Sequence, residues 1–493
     1  MPTHTANGDS RLSFWLRVRE FAVPPSVIET ATARRSVGDW AGACAAAGFD
    51  ADVDLRTVTR TRGRALAAQV RADLRRLAPD LLRWHLPRIA PDGLLRPGLT
   101  VTLARYDTGA GDRAGPVHLV ARTPPAWADG GQRVSLALWD GSRGDPGTRL
   151  HPHPRPNRRF RLDLHRHLWD AQRSGELRVR SGADRPPEGD MPAEGPDALG
   201  ALPLPQHWAV GRWAAEARLL LHAEGRTAGP VAVRLGGRHR LVLDLGAAPD
   251  PTPDIDLDLD LDADRSADGP VGGLPGLRRA PAGAAALPVL PDAATWVLPD
   301  LELLRTGAIG ADRLHPLVAA ALAPDHGPTG PAAGLPAADA AGPRFVDCRG
   351  ARHRIGLVDG VLSPLDHDPA ELRREELLAA LGGTPLPCLQ AVDQAHRRPE
   401  CLSGVRERLD HGDTAGALAV VEGLLGPGAV LRSGALQDEL QAAAERRVLH
   451  GLFRAGLVEP GLVPGPVPRP PQVWARNHSR NRNGSRRRHA TFR

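Results

Sequence analysis

Apolar and polar residues change period twice along this chain, and the changes divide it. In "LSFWLRVREFAV" (12–23) they alternate, which predicts a strand stopped by Pro24 and Pro25. "SVGDWAGACAAAG" (36–48) predicts a short helix, with Ser36 as a cap and Gly48 as its end. In "RALAAQVRADLRRLAPDLLRWHL" (64–86), Leu66, Val70, Leu74, Leu77, Leu81 and Trp84 step by three and four, the stripe of an amphipathic helix that Pro79 must kink or divide. From about residue 97 the period falls to two. Strands are predicted at 99–107, 117–123, 133–140, 160–166, 176–182 and 217–223, and a tight hairpin about Gly236-Gly237. Strand following strand with few helical breaks implies a mostly antiparallel sheet or sandwich behind a helical N-terminal part.

The second half reads differently. "FVDC", "HRIGLV" and "VLSPL" (345–365) predict a small β-meander with Asp359-Gly360 as a turn. Asp368 then caps a helix, Pro369 suits its first position, Glu371 completes a capping box and Gly382 ends it. Short helices follow, broken at Pro399 and Gly412, and "ALQDELQAAAERRVLHGLFRAGL" (435–457) is the last. "GDWAGACA" (38–45) and "GDTAGALA" (412–419) echo each other, each reading as a helix–turn–helix joint: glycine ends one helix, aspartate caps the next, alanines allow close packing. Two copies this far apart do not make a repeat array.

The fold class expected is therefore α+β: a β-rich domain over 11–245 with an N-terminal helical part, and an α-rich domain over 291–458 that opens with the meander. Residues 1–10 are expected to be disordered, 246–290 an acidic then Gly/Ala/Pro-rich linker, and 459–493 a Pro-rich then Arg-rich disordered tail. "PDIDLDLDLDAD" (253–264) lacks the glycine and the closing glutamate of a calcium loop. A solvated spacer is favoured there over a charged edge strand or a cation site.

Composition narrows the chemistry. All 63 basic residues are arginine. Without lysine there is no P-loop, no protein-kinase strand lysine and no Schiff base. The Ala/Arg/Pro/Gly-rich usage is that of a GC-rich coding genome, so arginine carries little meaning by itself. Seven arginines and no acid fall in the last 18 residues, which turns the net charge of +6 into −1 for the rest. Four scattered cysteines fit a reducing cytosol better than a disulfide scaffold. The polar start is no signal peptide, and the apolar runs are too short to span a bilayer.

Several clusters invite a site. His165 and His167, two apart on an expected strand, share a face and with Asp163 or Asp170 would suit a metal-dependent hydrolase. Asp366, His367 and Asp368 offer ligands or an acid–base group, although Asp368 is already explained as a cap. Cys348, His353, Cys388, His396 and Cys401 have the atoms of a zinc site but no Cys-x-x-Cys knuckle, and small buried cysteines are the ordinary alternative. Neither Gly-x-Ser-x-Gly nor His-Glu-x-x-His occurs.

These readings favour a non-catalytic cytoplasmic adaptor or scaffold. No catalytic residue and no cofactor are assigned, and an unidentified protein partner docks on the helical C-terminal part. No small-molecule substrate and no membrane are inferred. The alternatives are the hydrolase built on His165 and His167, and nonspecific nucleic-acid binding through the arginine tail, which lacks aromatic interleaving and a matching basic body.

Overall fold

The computed structural model describes residues 4–107, 115–141, 151–184, 207–236, 239–246, 277–280, 286–325, 344–397, 401–458 and 491–492. The aspartate run 253–264, most of the expected linker and all but two residues of the expected tail lie outside them. The fold is mixed α+β, with mostly antiparallel sheets in the N-terminal half, a three-stranded meander, and helices after it.

Two compact units form, and both are discontinuous along the chain. One comprises 1–99, 121–154 and 325–492; the other comprises 100–120 and 155–324. The N-terminal and C-terminal helices, which the sequence reading assigns to separate modules, share the first unit.

That unit begins with α1 (His4–Phe21), α2 (Pro25–Ser36) and α3 (Trp40–Ala46), not with a strand over 12–23. Within α1 the buried positions are 11, 14, 15, 18 and 19, a helical repeat in which Arg11 and Arg19 take core places. Arg19 stacks over Trp15 and Trp84, at 5.1 and 4.4 Å from the ring centroids, and donates to the Trp84 carbonyl at 2.9 Å. Counting only apolar residues skips those two positions and leaves a false alternation. The strand β1 (Phe49–Asp52) pairs in parallel with β6 (Val134–Trp139). Between them in the chain come α4 (Leu55–Arg62), α5 (Arg64–Arg76) and α6 (Pro79–His85). Pro79 divides the long apolar stripe, as its missing N–H requires, and opens α6 at the first helical position.

The second unit holds β4 (Thr100–Tyr106), which neighbours β5 (Val117–Arg122). Its core packs α8 (Val210–Ala223) on the antiparallel strands β7 (Gly229–Arg234), β8 (Arg240–Leu245) and β9 (Leu277–Arg279). Residues 217–223 are thus the end of a helix rather than a strand: Trp213, Ala217, Leu220 and Leu221 are its buried face. Residues 177–181 are also helical (α7, Leu177–Ser181), and 160–166 contribute a bridge from Arg161 to Thr102. The helices α9 (Asp292–Thr295), α10 (Pro299–Arg305) and α11 (Pro316–Leu322) complete the described α-helices of the unit.

In the C-terminal part of the first unit, β10 (Arg344–Cys348), β11 (Ala351–Val358) and β12 (Val361–Pro364) form the expected meander. The helices α12 (Pro369–Ala380), α13 (Pro387–Arg397), α14 (Leu402–His411), α15 (Thr414–Leu425) and α16 (Ala435–Ala455) follow. Val392, Val405, Leu409, Ala417, Val421 and Leu436 are buried together with Ile355 and Leu362 of the meander. The last strand, Thr491–Phe492, pairs with β2 (Arg88–Ile89), which pairs in turn with β3 (Leu94–Leu95). No helix among the described residues is long and apolar enough to cross a membrane.

Candidate metal centre

Among the described residues, one group of donors is gathered closely enough to hold a metal ion: Cys348, His353, His367 and Cys388, whose ligating atoms all lie within 4.8 Å of one another. Local folding rules explain each position. β10 and β11 are joined by a two-residue turn, Arg349-Gly350, with φ of 53° and 82°. Positive φ at both positions is the geometry that matches strand twist in a tight hairpin. The turn leaves Cys348 at the end of β10 and places His353 opposite Val346.

His367 arrives from the other side. The β11–β12 hairpin turns at Asp359-Gly360, also with positive φ, and sets Ile355 opposite Pro364. The pairing continues past the strand end: Leu365 N–H donates to the Arg354 carbonyl at 2.9 Å. Asp366 accepts from the Arg354 N–H at 2.7 Å and from its guanidinium at 2.6 Å. That charge-assisted clasp holds the Asp366 carboxyl down at about 2. The next residue, His367, is thereby delivered to His353, and His353 Nδ1 lies 2.7 Å from His367 Nε2.

Cys388 comes from the first turn of α13, after Pro387. Both sulfurs are fully buried, with Leu386 beside them and Val346, Leu372 and Leu389 packed around. Burial, then the Cys348 thiol beside it, pushes the Cys388 thiol up to about 12.

The surroundings of His367 complete a familiar metal-site arrangement. Its side chain is 4% exposed, its Nε2 points at the other donors, and its Nδ1 faces Glu371 Oε2 at 3.5 Å. A carboxylate behind a histidine fixes which ring nitrogen is free to ligate and raises its basicity. Glu371 is itself paired with Arg349 at 2.5 Å, and Glu375 joins the same guanidinium at 2.6 Å. In place of the expected capping box, Asp368 alone caps α12, accepting from the Ala370 N–H, while Glu371 turns to His367 and Arg349.

Two thiols and two imidazoles are a borderline-soft, four-donor set of the kind found at structural zinc sites. Tetrahedral zinc with ordinary bond lengths separates its donors by roughly 3.3–3.8 Å. The four donors lie within 4.8 Å of one another, and the His353 Nδ1–His367 Nε2 pair, now at hydrogen-bond distance, moves apart to take the ion. The sequence names Cys348, His353 and Cys388 but joins them to His396 and Cys401, which are not in the group. His396 is buried elsewhere, and Cys401 packs beside the apolar core of the C-terminal helices. His367, expected beside Asp366 and Asp368, is the fourth donor. The sequence leaves the metal unassigned, with His165, His167, Asp163 and Asp170 as candidates; the donors that gather are Cys348, His353, His367 and Cys388 instead.

The other candidates are not gathered as ligands among the described residues. His165 is buried, with Nδ1 3.1 Å from the Arg161 carbonyl and Nε2 3.1 Å from Glu216 Oε2. Glu216 also takes two bonds at 2.6 Å from Arg180. Burial works against its charge, but His165 and Arg180 outweigh that and hold it well below the usual glutamate range. His167 is buried, with its ring centroid 5.8 Å from that of His165. Asp163 is gripped by Arg161 at 2.7 Å, and Asp170 accepts from the Gln172 N–H at 3.0 Å and from Arg166 at 3.1 Å.

No protein-family model matches the chain, and neither a curated protein nor a solved structure is found to be similar to it.

Proposed function

We propose that the chain is a non-catalytic cytoplasmic adaptor whose C-terminal part is built around one structural zinc ion held by Cys348, His353, His367 and Cys388. The observation that carries this reading is the gathering of four buried or half-buried donors from three strand or loop positions and one helix. When bound, the ion supplies cross-linking: it ties the hairpin turn, the end of the meander and the start of α13 together. A set of four protein ligands is closed and leaves no position for a substrate, as in structural rather than catalytic zinc sites. The meander and α12 have little core of their own, and small modules of this kind commonly depend on a metal. The other polar clusters favour the same conclusion, because His165, Asp163 and Asp170 are engaged in hydrogen bonds and ion pairs.

Elemental analysis of the full chain, purified without chelator, tests the zinc part. The expected result is about one zinc per chain, lost in the double variant Cys348→Ser/Cys388→Ser. Metal-free wild type that also fails to bind cobalt with thiolate charge-transfer bands would overturn it. Cross-linking in cells tests the adaptor part: a protein cross-linked to 344–458 in the wild type and lost in the double variant supports it, and no cross-linked protein defeats it.

A further inference from the structure

The weakest-held element next to the zinc ligands is α12. None of its residues is buried, and Leu377 and Leu378 are 66% and 55% exposed, with Leu381 just beyond its end at 85%. Its attachments run from the cap to Glu375, leaving its last turn without them. Asp368 caps it, Leu372 touches the Cys348–Leu386–Cys388 cluster, and Glu371 and Glu375 pair with Arg349. Arg349 is 54% exposed, and ion pairs in water add little. A twelve-residue helix is marginal without tertiary packing. Yet the chain on either side is fixed at the donor group, His367 just before the cap and Cys388 after the loop that follows.

We infer that zinc at this group controls α12: loaded, the ion pins both ends of the 367–388 segment and holds the helix on the meander; unloaded, the helix is released while the helical core beyond it stays folded. The inference rests on the zinc reading above. It makes α12 and its exposed leucines a metal-responsive element. The core formed by Val405, Leu409, Ala417 and Val421 does not include the donor group, which is why release stays local.

Hydrogen exchange on the full chain, read by mass spectrometry, tests it. On chelation the amides of 369–381 should exchange at least tenfold faster, with those of 402–425 unchanged, and the double variant Cys348→Ser/Cys388→Ser should show the fast pattern with or without chelator. Equal exchange of 369–381 in protein shown by elemental analysis to gain and lose zinc overturns the inference and leaves the zinc reading standing. Loss of protection across 402–425 as well overturns local control in favour of global unfolding. Protein that takes up no zinc removes both.

Discussion

Arg83 Nη2 donates to the carbonyl oxygen of His411 at 2.7 Å, tying the sixth helix of the chain to the end of α14. The same guanidinium donates to the carbonyls of Gln132 at 2.7 Å, Ala22 at 3.2 Å and Ala47 at 3.5 Å. Ala22, Ala47 and His411 stand at or just past the ends of α1, α3 and α14, where helix carbonyls lack partners and the dipole is negative. A single cation thus serves three helix ends. Burial, with Arg133 nearby, pulls its pKa down to about 10, which leaves it charged at neutral pH.

Arg83→Met removes the donors and strands buried carbonyls. The expected loss of stability is about 3 kcal/mol or more, read by chemical denaturation. Arg83→Lys, a point donor that cannot reach four directions, should recover less than half of it. A change below about 1 kcal/mol in Arg83→Met would mean that the hub is ornamental.

The two sequence echoes become the same joint in three dimensions. Asp39 and Asp413 each accept from the N–H three residues on, at 2.8 Å, with nearly identical backbone angles, and Gly38 and Gly412 precede them with φ of 79° and 88°. Arg34 and Arg408, five residues earlier, donate to the same carboxylates. A Cβ at Gly416 would collide with the Asp413 carboxylate. Asp413→Ala should therefore cost about 1 kcal/mol and Gly416→Ala at least as much. Their double variant should cost less than the sum, because each change breaks one shared bond. Strict additivity in thermal or denaturant unfolding would contradict this.

Such joints, the Asp359-Gly360 turn and the Asp368 cap were legible because each is decided by a few adjacent residues, although Ser36, expected to cap α3, ends α2 and the cap is Asp39. α1 was not, because two of its core positions are arginines, and one of them, Arg19, is buried over Trp84 of α6. The end of α8 alternates like a strand when taken alone, and its helical stripe shows only when the turn of Trp213 before it is included. The metal group was half legible. Its cysteines and His353 stood out, but His367 was explained away with its neighbour, the cap. The missing signal was register: Ile355 opposite Pro364, carried past the strand end, brings 366 and 367 level with 353 and 352.

Glu371 is a positioning residue for the metal group, since its carboxylate faces the His367 ring nitrogen that points away from the other donors. Glu371→Gln should weaken zinc affinity about tenfold, within the range seen for such outer partners, in a competition titration against a chelator. A helix-only role predicts unchanged affinity and a small loss of stability instead, so the two readouts separate.

His151 sets a pH dependence with a definite sign. Its Nε2–H donates to the Thr123 carbonyl at 2.9 Å, and its Nδ1 accepts from the His153 N–H at 3.2 Å. Those partners fit only the neutral ring, and burial lowers its pKa from 6.5 to about 4. Between those values the unfolded chain binds the proton and the folded one does not. Its contribution is therefore complete above pH 6.5 and is lost as pH falls toward 4. His118, His396 and His411, also lowered by burial, act in the same direction. From pH 6.5 to 4.5 the wild type should lose about 2–3 kcal/mol more than His151→Gln, which keeps a donor and an acceptor but cannot titrate. Parallel stability curves for the two proteins over that window would show that the ring is not held neutral.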